Sequence, residues 1–342
     1  MKIFVLLMAM TIITGCASSQ NGRNYTDSTL ETVKKRGHLN CGVSTGLPGF
    51  SAKDKTGKWV GLDVDVCRAT AAAVLGNSEQ VRYIPLRAKK RFTALQSGEI
   101  DLLSRNSSLT QTRDTRLGLN ATAVTYYDGQ GVMVSKNLGA NSIDDLDGAT
   151  ACLQQNTSSK YNLISYFQKH RISYSEKVFN TTKDLTNAFN EGECDLVTSD
   201  QSQLYYFKLT LKNPESVVIL PETITLEPLA PYVRQGDDQW LDIVRWSQSA
   251  MVNAEELGLT STNIDNRKND LHPAIQLFVG SVRPLGKDLF LQDDWAFQIV
   301  RQVGNYSESF ERNVGSESIF KIPRGHNALW KNGGMQYAPP MR

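Results

Sequence analysis

Arg113 is the residue whose type and position point most directly to ion binding. It lies three positions after Thr110, and a threonine at that spacing can cap a helix whose first N–H groups are free to bind an anion. A guanidinium suits a carboxylate because its planar fork donates two parallel hydrogen bonds. The sequence therefore predicts a carboxylate-binding point at Arg113, with a solvated surface arginine as the alternative.

Asp200 could supply the opposite charge. It follows an apolar segment, 196–198, that is typical of a strand, and α/β proteins place ligand contacts outside the carboxyl ends of their strands. A carboxylate in that position can accept hydrogen bonds from a cationic group. The alternative is that Asp200 caps the helix that the sequence predicts over 201–207.

The elements that must position these residues alternate between helix and strand. Helices are predicted over 29–36, 62–75, 92–96, 159–170, 182–191 and 239–257, and strands over 39–43, 81–84, 100–103, 150–153, 174–179 and 196–198. This alternation predicts an α/β fold with a mostly parallel sheet and helices on both faces. Two such units follow one another, and the extended segments 124–134 and 223–233 are expected to connect them. Residues after about 258 are irregular, with scattered short helices.

Four cysteines beyond the N-terminal segment predict two disulfides. Cys41, Cys67, Cys152 and Cys194 allow three pairings. The local pairs 41–67 and 152–194 are favoured, since each joins a predicted strand to a later point of the same α/β unit. A four-cysteine zinc site is less well supported because no pair has the close spacing of such sites. Buried free thiols are the remaining alternative.

The N-terminal segment has the layout of an export signal. Lys2 precedes an apolar run over 3–13 that is too short to cross a bilayer, and small residues precede Cys16. Residues 13–16 resemble a bacterial lipobox, in which the cysteine is acylated and becomes the first residue of the mature protein. The polar segment 17–24 would then be a tether. We expect a protein of the periplasm or cell envelope that is lipid-anchored through Cys16, with a plain signal peptide as the alternative.

Composition and charge exclude several classes of protein. The chain has 342 residues, of which 40% are hydrophobic and 21% charged, which is ordinary for a globular protein and too apolar for disorder. The 37 basic and 35 acidic residues leave a net charge of +2, so nucleic acid is not expected as a partner. A polytopic membrane protein is excluded because the one long apolar stretch is N-terminal.

Catalysis is poorly supported by the sequence. The four histidines are scattered, and none has the spacing of metal ligands; they are His38, His170, His272 and His326. Nucleophile-elbow, phosphate-loop and dinucleotide motifs are absent from the sequence. We therefore expect a protein that is not an enzyme and that needs no cofactor or metal.

Several separated motifs resemble the solute-binding proteins of polar amino-acid ABC importers (bacterial extracellular solute-binding protein family 3). They are, in order, GLDVDV at 61–66, SGEID at 97–101, TQTR at 110–113, GECDLVTSD at 192–200, and in the long C-terminal part 295–305, FERN at 310–313, 324–330 and YAPP at 337–340. The long C-terminal part is similar to that of the general L-amino-acid-binding branch. The resemblance covers the chain from about residue 29 to its end.

The resemblance implies a two-lobed periplasmic-binding-protein fold of type II, with lobes joined by two extended hinge strands. We expect a signal peptide at 1–15, a lipid-anchored tether at 16–28, one lobe from 29–128 plus 235–342, and a second lobe from 129–234 that includes the hinge strands. Such proteins bind one free L-amino acid in the cleft and deliver it to the membrane permease of an ABC importer. We expect a monomer. A dehydratase-like enzyme or a sensory surface lipoprotein on the same fold is the alternative.

The resemblance also implies roles for individual residues. Arg113 matches the arginine that holds the ligand α-carboxylate, and Asp200 matches the acidic residue that holds the α-ammonium. Asn106 and Ser108 are expected beside the same ligand head, with ordinary turn chemistry as their alternative. A cationic Arg87, after the predicted strand at 81–84, could pair with an acidic ligand side chain, although a solvated basic turn is the favoured interpretation of that residue.

The second lobe is expected to contribute the loop before the helix at 159–170. Thr157 and Ser158 are plausible ligand contacts there. The family usually has glycine where this chain has Asn156, and asparagine tolerates the left-handed backbone better than most residues. Phe50, after the first strand, could stack on the ligand or belong to the core, and the sequence does not distinguish the two.

Overall fold

A computed structural model describes residues 28–342. The strands are β1 (Leu39–Ser44), β2 (Ala52–Lys53), β3 (Trp59–Val60), β4 (Val81–Leu86), β5 (Leu102–Leu103), β6 (Leu119–Ala121), β7 (Tyr126–Ser135), β8 (Ala149–Gln154), β9 (Tyr174–Phe179), β10 (Leu196–Asp200), β11 (Val217–Ile219), β12 (Thr225–Leu229) and β13 (Tyr232–Arg234). The α-helices are α1 (Thr29–Arg36), α2 (Leu62–Leu75), α3 (Arg91–Gln96), α4 (Ser158–His170), α5 (Thr182–Asn190), α6 (Gln201–Thr210), α7 (Asp238–Glu256), α8 (Pro273–Phe278), α9 (Leu285–Asp288), α10 (Trp295–Val303) and α11 (Tyr306–Asn313).

The first lobe is built on a five-stranded sheet in the order β4-β1-β5-β13-β6. Strand β1 runs parallel to β4 and β5, whereas β13 runs antiparallel to β5 and β6. Apolar side chains of α2, α7 and α10 cover one face, and those of α3 cover the other. A mostly parallel sheet buries both faces in this way because its crossover helices lie on both sides.

The second lobe repeats the architecture with the order β11-β7-β10-β8-β9, and β12 also pairs with β7. Strands β8, β9 and β10 are parallel, and β7 is antiparallel to its neighbours. Leu163 and Phe167 of α4 pack in one apolar cluster, while Leu185 of α5 and Phe207 of α6 pack in the other. The α/β fold with two lobes, predicted from the alternation and the resemblance, is confirmed.

Two adjacent strands carry the chain between the lobes. Strand β7 follows β6 of the first sheet, and β12 leads into β13 of the same sheet. The two strands pair antiparallel over five residues, from Gln130 opposite Thr225 to Tyr126 opposite Leu229. The two extended segments predicted from the sequence are therefore hinge strands that lie side by side. The exact lobe boundaries stay a prediction.

The residues after α7 pack on the first lobe and reach the hinge. Helix α10 packs against α2. The Asn327 side chain accepts a hydrogen bond from the backbone N–H of Tyr127 at 2.7 Å and donates one to its carbonyl at 3.0 Å, while the Tyr306 hydroxyl donates to the Thr125 carbonyl at 2.8 Å. The C-terminal part therefore fixes the backbone at the start of β7.

The motif at 61–66 forms the start of α2. Gly61 has φ of +131°, and a Cβ there would lie 2.1 Å from the carbonyl oxygen of Phe50, so a side chain cannot be accommodated. Asp63 and Asp65 in the first turn are both buried. Asp65 accepts hydrogen bonds from residues of α11, and Asp63 faces the cleft loop described below.

The four cysteines form the two predicted local disulfides. Cys41 of β1 is bonded to Cys67 of α2, and Cys152 of β8 is bonded to Cys194 in the turn before β10. Each bond joins a strand to a later segment of the same lobe. The predicted lipidation site, Cys16, lies outside the described residues. Within residues 28–342, no helix combines the length and the apolarity that crossing a membrane requires.

Removing the second disulfide should destabilise its lobe strongly. The bond closes a loop of 42 positions, for which the chain-entropy model gives about 4 kcal/mol. We expect the Cys152→Ala/Cys194→Ala variant of the chain from residue 17 to lose about that free energy of unfolding in urea, whereas wild type should show no free thiol when denatured. Two reactive thiols in wild type, or a loss below about 1 kcal/mol, would contradict the assignment.

Candidate functional site

Arg113 lies in the short helical turn Thr112–Arg116 at the edge of the first lobe. Its backbone N–H donates to the Thr110 hydroxyl at 3.4 Å, and its Nη1 donates to the Ser108 carbonyl at 2.8 Å. Its guanidinium lies 5.3 Å from the centroid of the Phe92 ring. Burial lowers the pKa of Arg113, and in the described part of the chain it makes no salt bridge. The guanidinium therefore keeps donors free for an anion.

Asp200 ends β10 on the second lobe and faces the same cleft. It stands at the N-cap position of α6, but its side chain does not cap that helix. Instead it is 6% exposed and accepts one long hydrogen bond, from Asn106 Nδ2 at 3.5 Å. Burial raises the pKa of Asp200 well above its usual range, and the carboxylates of Asp128 and Glu227 raise it further. The carboxyl group is thus desolvated without a direct cationic partner.

Asn106 is held in a rare backbone conformation by a buried carboxylate. Its φ is +27°, in the region that favours glycine. Its N–H donates to Asp63 at 3.0 Å, and the Ser104 hydroxyl donates to the other oxygen of Asp63 at 3.3 Å. Burial raises the pKa of Asp63 to about 6. The Asp63 carboxylate therefore aims the Asn106 side chain across the cleft at Asp200.

The second lobe contributes the loop before α4. Asn156 has φ of +62°, the left-handed conformation that favours glycine and that asparagine tolerates better than most residues. Thr157 caps α4, since its hydroxyl accepts the N–H of Lys160 at 3.4 Å. The Ser158 hydroxyl lies 3.0 Å from the hydroxyl of Ser108. That hydrogen bond crosses from the second lobe to the first at the floor of the cleft.

These side chains line one polar cavity between the lobes. The empty volume of this cavity, including its mouth, is about 360 Å³. Its lining residues are Ala88, Arg91, Arg105, Asn106, Ser108, Arg113, Gln154, Thr157, Ser158, Ser159, Ser199, Asp200 and Gln203. Six of the predicted ligand residues are thereby brought together. Three arginines on the first lobe face an aspartate on the second, so the cavity is suited to a small ligand with both charges.

Arg91 is a cavity residue that the sequence analysis missed. It is 3% exposed, its Nε has no hydrogen-bond partner in the described structure, and its guanidinium lies 4.8 Å from the Phe92 ring centroid. Burial lowers its pKa well below the usual value, and Arg113 and Arg105 add to the effect. A signal was present in the sequence, because Arg91 shares the inner face of α3 with the buried Leu95.

Arg105 was also missed. It lies two residues after the end of β5 and is 7% exposed, and its Nε donates to the Leu86 carbonyl at 2.9 Å. Burial lowers the pKa of Arg105 to about 10, although Asp63 partly offsets the effect. Its position outside the carboxyl end of a parallel strand is the signal that could have identified it.

Two predicted site residues lie elsewhere. Arg87 follows β4 as an exposed side chain and is not among the residues that line the cavity. Phe50 is 3% exposed and packs edge-on against the Tyr126 ring, with centroids 5.2 Å apart, inside the largest apolar cluster. Its side chain supports the start of the hinge strand β7 and does not line the cavity. Among residues 28–342, no group of His, Cys, Asp or Glu could hold a metal ion.

Comparison with known proteins finds relatives that match nearly the whole chain. The general L-amino acid-binding periplasmic protein AapJ of Rhizobium johnstonii is 53% identical over 317 residues, which cover 92% of this chain and 93% of that protein. The glutamate/glutamine/aspartate/asparagine-binding protein BztA of Rhodobacter capsulatus is 46% identical over 316 residues, covering 92% and 94%.

A solved structure with the same fold carries a ligand. It is an ABC transporter/periplasmic binding protein from Brucella ovis with glutathione bound, which is 46% identical, has a TM-score of 0.90, and is matched over 93% of this chain and 100% of that one. A sequence model of the bacterial extracellular solute-binding proteins, family 3, matches residues 39–262. The chain belongs to this family.

Proposed function

We propose that this protein captures free L-amino acids in the cleft between its lobes and delivers them, as a monomer, to the membrane permease of an ABC importer. The observation that carries the proposal is the pair of ionisable groups that face one cavity without a salt-bridge partner, the half-buried Arg113 on the first lobe and the buried Asp200 on the second. The named relatives are binding proteins rather than enzymes, which agrees with a site that holds its ligand and releases it unchanged.

A free amino acid matches these charges. Its α-carboxylate can take the free donors of Arg113 as a bidentate partner, and its α-ammonium can donate to Asp200 and to the Ser108 hydroxyl beside it. Burying either ionic group alone is costly, whereas burying both against opposite charges is not. Because the two partners lie on different lobes, such a ligand would bridge the lobes and favour their closure about β7 and β12.

The remaining positive charge favours ligands with polar or acidic side chains. Arg91 and Arg105 line the cavity besides Arg113, so that an additional carboxylate would meet a desolvated guanidinium. The name of BztA includes glutamate and aspartate together with their amides, and glutathione, bound in the Brucella structure, has a γ-glutamyl head with the same zwitterion. We propose Arg91, in place of the exposed Arg87, as the residue that pairs with an acidic side chain.

Members of this family act outside the cytoplasm. We propose in addition that the chain is anchored there by lipid on Cys16, because residues 13–16 resemble a lipobox and follow the basic start and apolar run of an export signal. Two or three acyl chains suffice for stable anchoring, at about 0.8 kcal/mol per buried methylene.

Calorimetry against all L-amino acids and glutathione tests the proposed function. We expect micromolar or tighter binding of at least one amino acid, about −8 kcal/mol. Arg113→Ala should weaken it by roughly 100- to several-thousand-fold, because losing one partner of a buried charged contact costs about 3–5 kcal/mol. Thermal melts must show that the variant is folded. A folded variant that binds within threefold of wild type would refute the role of Arg113.

Arg91 and Arg87 form a matched pair for testing specificity. Arg91→Ala should weaken the binding of L-glutamate by at least about tenfold more than the binding of L-glutamine, since a hydrogen bond to a charged group is worth about 1.5–3 kcal/mol. Arg87→Ala removes the same charge from an exposed position and should change the binding free energy of either ligand by less than about 0.5 kcal/mol. An equal loss for glutamate and glutamine in Arg91→Ala would show that Arg91 does not distinguish acidic side chains.

Palmitate labelling tests the anchor. In a bacterial host, the wild-type chain should incorporate labelled palmitate and fractionate with membranes, whereas Cys16→Ser should do neither, because the acylated thiol is gone. Ser18→Ala, two residues further on, is the control and should behave as wild type. Equal labelling of the Cys16→Ser form would exclude Cys16 as the acylated residue.

A further inference from the structure

Three carboxylates are buried together where the hinge strands meet the cleft. They are Asp128 of β7, Glu227 of β12 and Asp200 at the end of β10, with exposures of 6%, 4% and 6%, and we call them the carboxylate cluster. Asp128 and Glu227 are directly opposite each other in the antiparallel pair. Side chains so placed have Cβ atoms about 4.5–5.5 Å apart, and like charges there destabilise the pairing.

Glu227 is the member whose carboxylate accepts the most side-chain hydrogen bonds. One of its carboxylate oxygens accepts hydrogen bonds from Asn162 Nδ2 at 2.6 Å and from the Thr225 hydroxyl at 2.9 Å. The other accepts the Ser158 hydroxyl at 3.2 Å. Both oxygens of this buried carboxylate therefore have hydrogen-bond partners.

Asp128 and Asp200 are less well satisfied. Asp128 accepts the N–H of Gly129 at 2.8 Å and the Ser202 hydroxyl, but burial raises its pKa to about 6, and the charge of Glu227 adds to the shift. Asp200 has only the long contact from Asn106. The cluster therefore holds a proton more readily than ordinary carboxylates do.

The charged groups that face the cluster do not neutralise it directly. Arg91, Arg105 and Arg113 act on Asp200 from the first lobe, yet within residues 28–342 none of them lies within salt-bridge distance of a cluster oxygen. From β7, Tyr126 is nearby and is neutral at physiological pH, because burial raises its pKa well above the usual value. A bound ammonium would be the first cation in contact with the cluster.

We propose that the ammonium of the ligand replaces a proton held by the carboxylate cluster, so that amino-acid binding releases a proton to the solvent. The proposal rests on the proposed function of the cleft. The ligand enters with its ammonium intact and donates hydrogen bonds to Asp200, while the proton that Asp200 and Asp128 held passes to water. One positive charge enters and one leaves, and no covalent bond other than O–H is broken.

The exchange makes affinity depend on pH in a definite direction. Because the bound ammonium favours the ionised cluster, it lowers the pKa of the group that it contacts. Affinity is then highest above the pKa of the free cluster and falls as the pH drops through it, by up to tenfold per pH unit for one whole proton. The fall should begin near pH 6 or above, where amino-acid ligands keep both their charges.

Calorimetry in several buffers measures the exchange. The mature wild-type chain is titrated with its best ligand from the amino-acid panel at pH 6.5, in phosphate, PIPES and imidazole, whose ionisation enthalpies differ. We expect the observed heat to vary linearly with the buffer enthalpy, with a slope equivalent to release of about 0.3 to 1 proton. At pH 8, where the cluster is more fully ionised before ligand arrives and the ligand ammonium is still protonated, the slope should approach zero.

Two near-isosteric variants identify the source of the proton. Asp128→Asn and Glu227→Gln each remove one negative charge, keep the hydrogen-bond acceptor, and should at least halve the slope while binding persists. Glu255→Gln is the control: burial raises the pKa of Glu255 too, but it pairs with Arg324 and is not among the groups that shift the pKa of Asp128 or Asp200, so its loss should leave the slope unchanged.

The outcomes separate this inference from the function on which it rests. No binding heat with any amino acid would refute the proposed function itself. Binding with the same heat in all three buffers would refute the exchange and leave the function intact. Proton release that survives both cluster variants, with thermal melts showing folded protein, would refute the cluster as its source.

Discussion

Opposite charges that are desolvated on two separate lobes are the constraint on which this structure depends. Asp200 is buried and Arg113 is half-buried, and neither has a direct ionic partner among the described residues, so keeping either group charged costs free energy in the absence of ligand. A ligand that carries both charges removes that cost only if it touches both lobes. In the proposed function, affinity and lobe closure are therefore two aspects of one electrostatic requirement.

The scaffold meets this requirement through rigid local supports. Asp63, in the first turn of α2, fixes the unusual backbone of Asn106, and a disulfide ties α2 to β1 in the same lobe. On the other lobe, Thr157 caps α4 and thereby orients Ser158. These contacts fix the backbone of the segments that border the cleft on both lobes.

The hinge combines flexibility with charge. Strands β7 and β12 connect the lobes, and the same two strands carry Asp128 and Glu227. The strands that connect the lobes and the carboxylates that shape the electrostatics of the cleft therefore belong to the same segments. The C-terminal part restrains one end of this hinge, since Asn327 pairs with the backbone of Tyr127, and the charge-bearing segment of β7 begins at the next residue.

The sequence alone determined the α/β alternation and both disulfides, because helix and strand periodicity is local and each cysteine pair lies within one unit. It also identified Arg113 and Asp200, since strand ends and motif positions can be found along the chain. It did not distinguish Arg91 from Arg87, which lie close together after β4. The packing of α3 buries Arg91, whereas Arg87 stays exposed in the preceding turn. Nor could the sequence pair Asp128 with Glu227, which are distant in the chain. The burial of Arg91 and the closeness of Asp128 to Glu227 are properties of the tertiary structure. They arise only when segments that are distant in the chain pack together and exclude water.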